Sequence, residues 1–115
     1  MSDVDLSYIM VAGPYTLNTM TSTVSRDGQV IATLTRFEMT LLAHLAGQPG
    51  TVISKEMLTR HMYNGRQQPE SNGLEVFIGR IRRKIDPGKV LKPLQTVRFS
   101  GYRFRNDWEV SRAAA

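Results

Sequence analysis

Arg80, Arg82, Arg83 and Lys84 fall within five consecutive positions, one turn of a helix beyond Val76 and Gly79. Cations at this density suit a polyanionic partner. An arginine can donate two parallel hydrogen bonds to the edge of a guanine, and an exposed aliphatic group such as Val76 can meet the methyl group of thymine. Lys89, Lys92, Arg98, Arg103 and Arg105 follow, so the positive charge is gathered in the second half of the chain. The commonest reason for arginines on a surface helix is nevertheless solubility of its outer face. What surrounds the cluster therefore decides its meaning.

No other group of residues amounts to a reactive site. His44 and His61 have no cysteine to join them in binding metal, because the chain contains none, and the carboxylates do not fall at ligand spacings. His44 is expected as a half-buried helix residue. Ser54 reads as a helix cap and Ser100 as a turn residue, and Gly13 and Gly28 lack the spacing of a phosphate-binding loop. Met57 and Met62 are expected to fill gaps in the core. Neither catalysis nor a metal or cofactor is called for.

Composition agrees with a binding role. The 115 residues suffice for one hydrophobic core, so a single domain over 1–115 is expected, with its compact part at about 8–105 and loose ends. Net charge is +5 and the pI about 10.0, a balance that favours anionic partners. No apolar run reaches the roughly 20 residues needed to cross a bilayer, and Met1 to Asp5 is acidic where a secretory signal is basic. No membrane association and a cytoplasmic location are the expectation.

The elements that must position the cations can be read in order. Tyr8 to Ala12, Tyr15 to Asn18, Thr21 to Ser25 and Val30 to Leu34 read as short strands, with Asp27-Gly28 as a tight hairpin turn. Thr35-Arg36-Phe37-Glu38 has the form of a capping box, and Phe37, Leu41 and Leu45 then recur at helical spacing. Gly47 with Pro49-Gly50 is expected to end this helix, with a left-handed cap. Thr51 to Ile53 favours a strand, and Ser54 caps a second helix to about Met62. Asn64 to Ser71 reads as a loop. Asn72-Gly73-Leu74-Glu75 resembles another capping box, and Leu74, Phe77, Ile78, Ile81 and Ile85 share one face of the helix that follows. Val76, Gly79 and Arg83 then face outward, flanked by Arg80 and Arg82. Asp86-Pro87-Gly88 stops the helix, and Leu94 to Arg98 with Tyr102 to Arg105 reads as a closing hairpin.

The fold class expected from this order is α+β: an N-terminal antiparallel sheet, three helices and a C-terminal hairpin. Such a layout lets a helix enter one groove of a duplex while a β-ribbon reaches the next.

Four blocks carry a closer resemblance. Leu34 to Leu42, Pro49 to Leu58, Leu74 to Ile85 and Thr96 to Phe104 are similar, in that order, to the winged-helix effector domains of OmpR/PhoB response regulators, and the similarity runs from about Tyr15 to Arg105. It implies sequence-specific binding of double-stranded DNA and regulation of transcription. By position, Val76 and Arg80 would contact bases, Arg82 and Arg83 bases or phosphates, and Arg98 the minor groove. Gly79 and Lys84 belong to the same helix surface, Thr96 and Tyr102 would meet the DNA backbone, and Tyr63 stands where the family has a tryptophan that touches phosphate. The loop Asn64 to Ser71 would meet RNA polymerase, and a homodimer on tandem half-sites would follow family habit.

The departures are equally specific. Gly79 occupies a position that is often basic or polar, Phe77 one that is often histidine, and Phe99 replaces a glycine in the wing turn. Phe99 is expected to pack against the hairpin, and Trp108 to fold back on the domain or serve a protein contact. The segment before Tyr8 has no room for the receiver domain that precedes such modules, so the chain is either a stand-alone regulator or an excised domain. The competing reading is a winged-helix module that binds an acidic protein with its basic face or assembles through Phe99 and Trp108. RNA is a weaker partner, since no platform of aromatics is evident.

Overall fold

The computed structural model describes residues 8–63 and 73–112. Four strands open it: β1 (Ile9–Ala12), β2 (Tyr15–Asn18), β3 (Thr23–Arg26) and β4 (Gln29–Thr33). Helices α1 (Arg36–Ala46), α2 (Lys55–Tyr63) and α3 (Gly73–Ile85) follow, then β5 (Leu94–Val97), β6 (Gly101–Phe104) and β7 (Val110–Arg112). One antiparallel sheet has the order β4-β3-β2-β1-β7, and β5 and β6 form a separate two-stranded hairpin. The expected α+β winged-helix architecture is present.

Local chemistry accounts for the helix starts. Thr35 accepts the Glu38 amide at 3.2 Å while Glu38 Oε1 accepts the Thr35 amide at 2.8 Å, a complete capping box. Ser54 Oγ accepts the Met57 amide at 3.1 Å and so opens α2. Asn72, the cap expected for α3, lies outside the described residues. The end of α1 differs from expectation: Gly47 keeps a right-handed conformation (φ −71°), and the left-handed residue is Gly50 (φ +82°) three positions on. The chain completes its last helical turn through Gly47 and reverses only afterwards, where Gly50 donates its amide to Phe104 at 2.8 Å.

A shared core joins the layers. Leu17 and Val24 of the sheet, Leu41, Leu42 and Leu45 of α1, Leu58 of α2, Ile78 and Ile81 of α3 and Phe104 of β6 are all buried together. Tyr15 crosses this core and donates its hydroxyl to the carbonyl of Ile85 at 2.9 Å, which ties the sheet to the last turn of α3. Met62 is buried as expected, but Met57 is exposed and its sulfur instead accepts from Arg60 at 3.8 Å.

The sheet's fifth strand, β7, is absent from the sequence reading. It pairs with β1 in the register Met10–Arg112, Val11–Ser111 and Ala12–Val110. Trp108 prepares that return. Its indole lies edge-on to Tyr15 and Phe104, with ring centroids 6.0 and 6.1 Å away, and it covers Gly13, where any Cβ would collide with it. The expectation that Trp108 folds back is met.

Candidate nucleic-acid interface

α3 divides its two faces sharply. Leu74, Ile78, Ile81 and Ile85 are buried, whereas Val76, Arg80 and Arg83 are exposed. Val76 keeps 44% of its surface in solvent, a high value for an aliphatic side chain on a helix with a core to join. A Cβ on Gly79 would meet only Arg83 Nη1, at 3.4 Å, so this side of the helix is open to a partner. Arg80 lies over the Phe77 ring at 5.9 Å and, among the described residues, forms no ion pair.

Two neighbours fix the pose of this helix. Lys55 at the start of α2 pairs with Glu75 at 2.6 Å, although both groups are solvated and such a pair adds little stability. Phe77 contributes more. It packs against Phe37 at 6.0 Å, which in turn meets Tyr63 at 5.6 Å, so one aromatic cluster joins all three helices.

The β5–β6 hairpin is fastened to α3 by Arg82. Its guanidinium donates to the Leu94 carbonyl at 3.0 and 3.2 Å and to Thr96 Oγ1 at 2.9 Å. Ile53 and Tyr102 exchange backbone hydrogen bonds at 2.8 and 3.0 Å, which holds the other strand against the segment ahead of α2. At the tip, Arg98 and Phe99 project into solvent. Asp86 shapes the approach to β5 by accepting the amides of Val90, Leu91 and Lys92 at 2.9 to 3.2 Å. Burial opposes the charge on Asp86, but these three amides outweigh it and hold the carboxyl below its ordinary range. Between α3 and β5 lies a cleft of about 450 Å³ whose lining includes Arg82, Arg83, Lys89 and Lys92.

An exposed helix face with arginines and an aliphatic group, beside a hairpin with a cationic tip, is the geometry of a winged helix that reads a duplex. The family model described as "Transcriptional regulatory protein, C terminal" matches residues 28–104. The chain belongs to this family, that of the OmpR/PhoB-type effector domains.

As a member it is a winged-helix, DNA-binding module of transcription regulation. It is similar to the two-component response regulator PhoP of Pseudomonas aeruginosa, with 34% identity over 93 residues, covering 81% of this chain and 41% of that protein. The transcriptional regulatory protein PhoP of Escherichia coli K12 is 32% identical over 98 residues, covering 85% and 44%. The chain thus spans less than half the length of these curated relatives. Among solved structures, the DNA-binding domain of CpxR from E. coli superposes with a TM-score of 0.70 at 29% identity, covering 85% of this chain and 96% of that one.

Several positions that the OmpR/PhoB resemblance marks for DNA contact also make contacts within the domain. Lys84 places Nζ 2.7 Å from Glu38 Oε1, and Glu38 is fully buried in the first turn of α1, so the ammonium is paired with a buried carboxylate. Burial raises the cost of charging Glu38, but the Lys84 ammonium and the Thr35 amide prevail and keep its carboxyl below the usual value. Tyr63 is 9% exposed and packed against Phe37 with the rings tilted, and its hydroxyl finds no partner among the described residues. It closes the aromatic cluster. Tyr102 is buried too, because alternation along β6 turns its side chain into the core beside Ile53.

Arg103 donates to Gln95 across the hairpin at 2.8 Å, and Arg105 is held by Asp107, by the Leu91 carbonyl at 2.6 Å and by the Trp108 ring at 4.5 Å. The basic run of the sequence is therefore partly structural. Phe99 departs in the opposite direction. Expected against the hairpin, it is 96% exposed, because the positive φ of the turn (+67°) throws its ring outward. The loop Asn64 to Ser71, marked for RNA polymerase, lies outside the described residues.

Proposed function

We propose that the domain reads duplex DNA by laying α3 in the major groove, with Val76, Arg80 and Arg83 toward bases and phosphates and Gly79 allowing close approach. Arg98 enters the adjacent minor groove from the hairpin tip, and Thr96 stands beside the DNA backbone. Arg82 acts through position, since its donors already hold β5. Lys89 and Lys92 extend the cationic face toward phosphates. The observation that carries this reading is the outward face of α3, where exposed arginines flank an exposed valine.

The role is one of binding, in the cytoplasm, and the residues 1–115 act as one unit. RNA polymerase at the loop Asn64 to Ser71 and a homodimer on tandem half-sites belong to the same proposal, supported by the family resemblance.

Selection from a randomised duplex library at near-physiological salt tests it. A short recovered motif, repeated at about one helical turn, establishes specific reading and the half-site spacing. Arg80→Ala should then weaken binding by about 1 to 3 kcal/mol and relax the preference at one base pair, with the melting temperature unchanged. A bound pool that stays random while affinity collapses with salt would redirect the basic face to an acidic protein.

A further inference from the structure

Phe99 carries a conformational cost that no contact within the described residues repays. The hairpin strands close at the Val97–Gly101 pair, and the turn between them is sealed by the Ser100 amide on the Val97 carbonyl at 2.9 Å. Phe99 is the third residue of that four-residue turn, with φ +67°. Such a position ordinarily takes glycine, because a Cβ is crowded there and a bulky side chain more so. Burial would be the usual compensation, but the ring is 96% exposed. Its one aromatic or cationic partner among the described residues is the Arg98 guanidinium, 5.0 Å from the ring centroid.

A strained, solvated aromatic beside an arginine, at the tip of an anchored hairpin, is organised for something outside the molecule. The strands that carry the tip are anchored because Arg82 fastens Leu94 and Thr96 to α3, and Tyr102 fastens β6 to Ile53. Phe99 lies three residues beyond Thr96, about 10 Å of extended chain from the α3 contact. That reach suits the groove next to the one α3 occupies. In that narrow groove an arginine is attracted by the negative potential, and an apolar ring loses its water by wedging against a base step.

We infer that Phe99 is a minor-groove wedge, which partly opens one base step beside Arg98 and so gives this domain a preference for an easily deformed pyrimidine–purine step. The inference rests on the DNA-binding reading above. It adds sequence preference at a position where no hydrogen bond to a base is made, since the deformation energy itself discriminates.

The experiment compares the parent with Phe99→Gly and Phe99→Leu on the duplex recovered by selection, with 2-aminopurine placed at the step under the wing. Phe99→Gly relieves the turn, so it should melt at or above the parent temperature. Its affinity should nevertheless fall about tenfold, the scale of losing one aromatic contact to nucleic acid, and the rise in 2-aminopurine fluorescence that marks unstacking should disappear. Phe99→Leu, which keeps an apolar wedge, should retain part of both. A Phe99→Gly protein that binds as tightly as the parent with the same fluorescence change overturns the inference, even while Arg80→Ala still relaxes specificity and the DNA reading stands. Failure of the parent to select any duplex removes both together.

Discussion

Arg80 and Lys84 are one helical turn apart and carry the same charge, yet they do opposite work. Arg80 is exposed, whereas Lys84 neutralises a carboxylate with no access to water. Removing one partner of such a pair leaves a buried group uncompensated, which costs about 3 kcal/mol when burial is deep. Lys84 is itself partly solvated. Lys84→Ala should therefore lower stability by about 2 kcal/mol in a urea titration, while the folded fraction binds DNA within about a factor of three of the parent. Arg80→Ala should show the reverse pattern. Equal loss of affinity from both variants, with stability intact, would return Lys84 to the groove. The sequence showed which residues are cationic and which face of α3 is apolar, because both are local. It did not show where the charges end, since Glu38 lies 46 positions from Lys84, and the Leu94 carbonyl accepting from Arg82 lies 12 from it.

Among elements, the helices and the β3–β4 hairpin were legible for the same reason. A capping box, a stripe at helical spacing and an Asp-Gly turn each lie within a few residues, and Asp27 and Gly28 do adopt the positive φ values that the turn requires (+53° and +81°). Strand β7 was not legible. Three residues with one aliphatic side chain give no alternation to detect, and their partner strand lies about a hundred positions upstream. The wing was readable as a hairpin, but not its attachment. Gly101 supplies that attachment: at φ +141° its Cα lies so close to Ile53 that a Cβ would collide with the Ile53 carbonyl oxygen. Gly101→Ala should cost about 3 kcal/mol and speed hydrogen exchange at the Ile53 and Tyr102 amides. Gly28→Ala is the control, since nothing lies within 4 Å of its added methyl group and only the positive φ is penalised, at about 1 kcal/mol. Equal losses at the two sites would mean that the wing is not held through Gly101.

For the molecule as a whole, the titrating groups separate stability from binding by pH. His44 and His61 stack across the α1–α2 contact, with ring centroids 3.9 Å apart and planes inclined by 19°. Burial, and then the neighbouring His61, hold the His44 pKa below the ordinary histidine value. Well above about pH 6.5 both the folded and the unfolded chain carry this imidazole neutral, so it adds no pH dependence there. As pH falls below that value the unfolded chain takes up a proton that the folded chain refuses, and stability declines until the lowered folded pKa is passed. Glu38 and Asp86, whose carboxyls are also held low, contribute stability that is lost only in the more acidic carboxylate range. Urea titrations at pH 7.5 and 5.5 should therefore show a less stable domain at the lower pH. His44→Gln, which keeps a polar side chain without a titrating ring, should flatten most of that difference. The outward face of α3 holds arginines and no histidine, so affinity of the folded domain for its selected duplex should change little over the same interval. A stability difference that survives His44→Gln undiminished would assign the proton to another group, and the stacked pair would then be no more than packing between two helices.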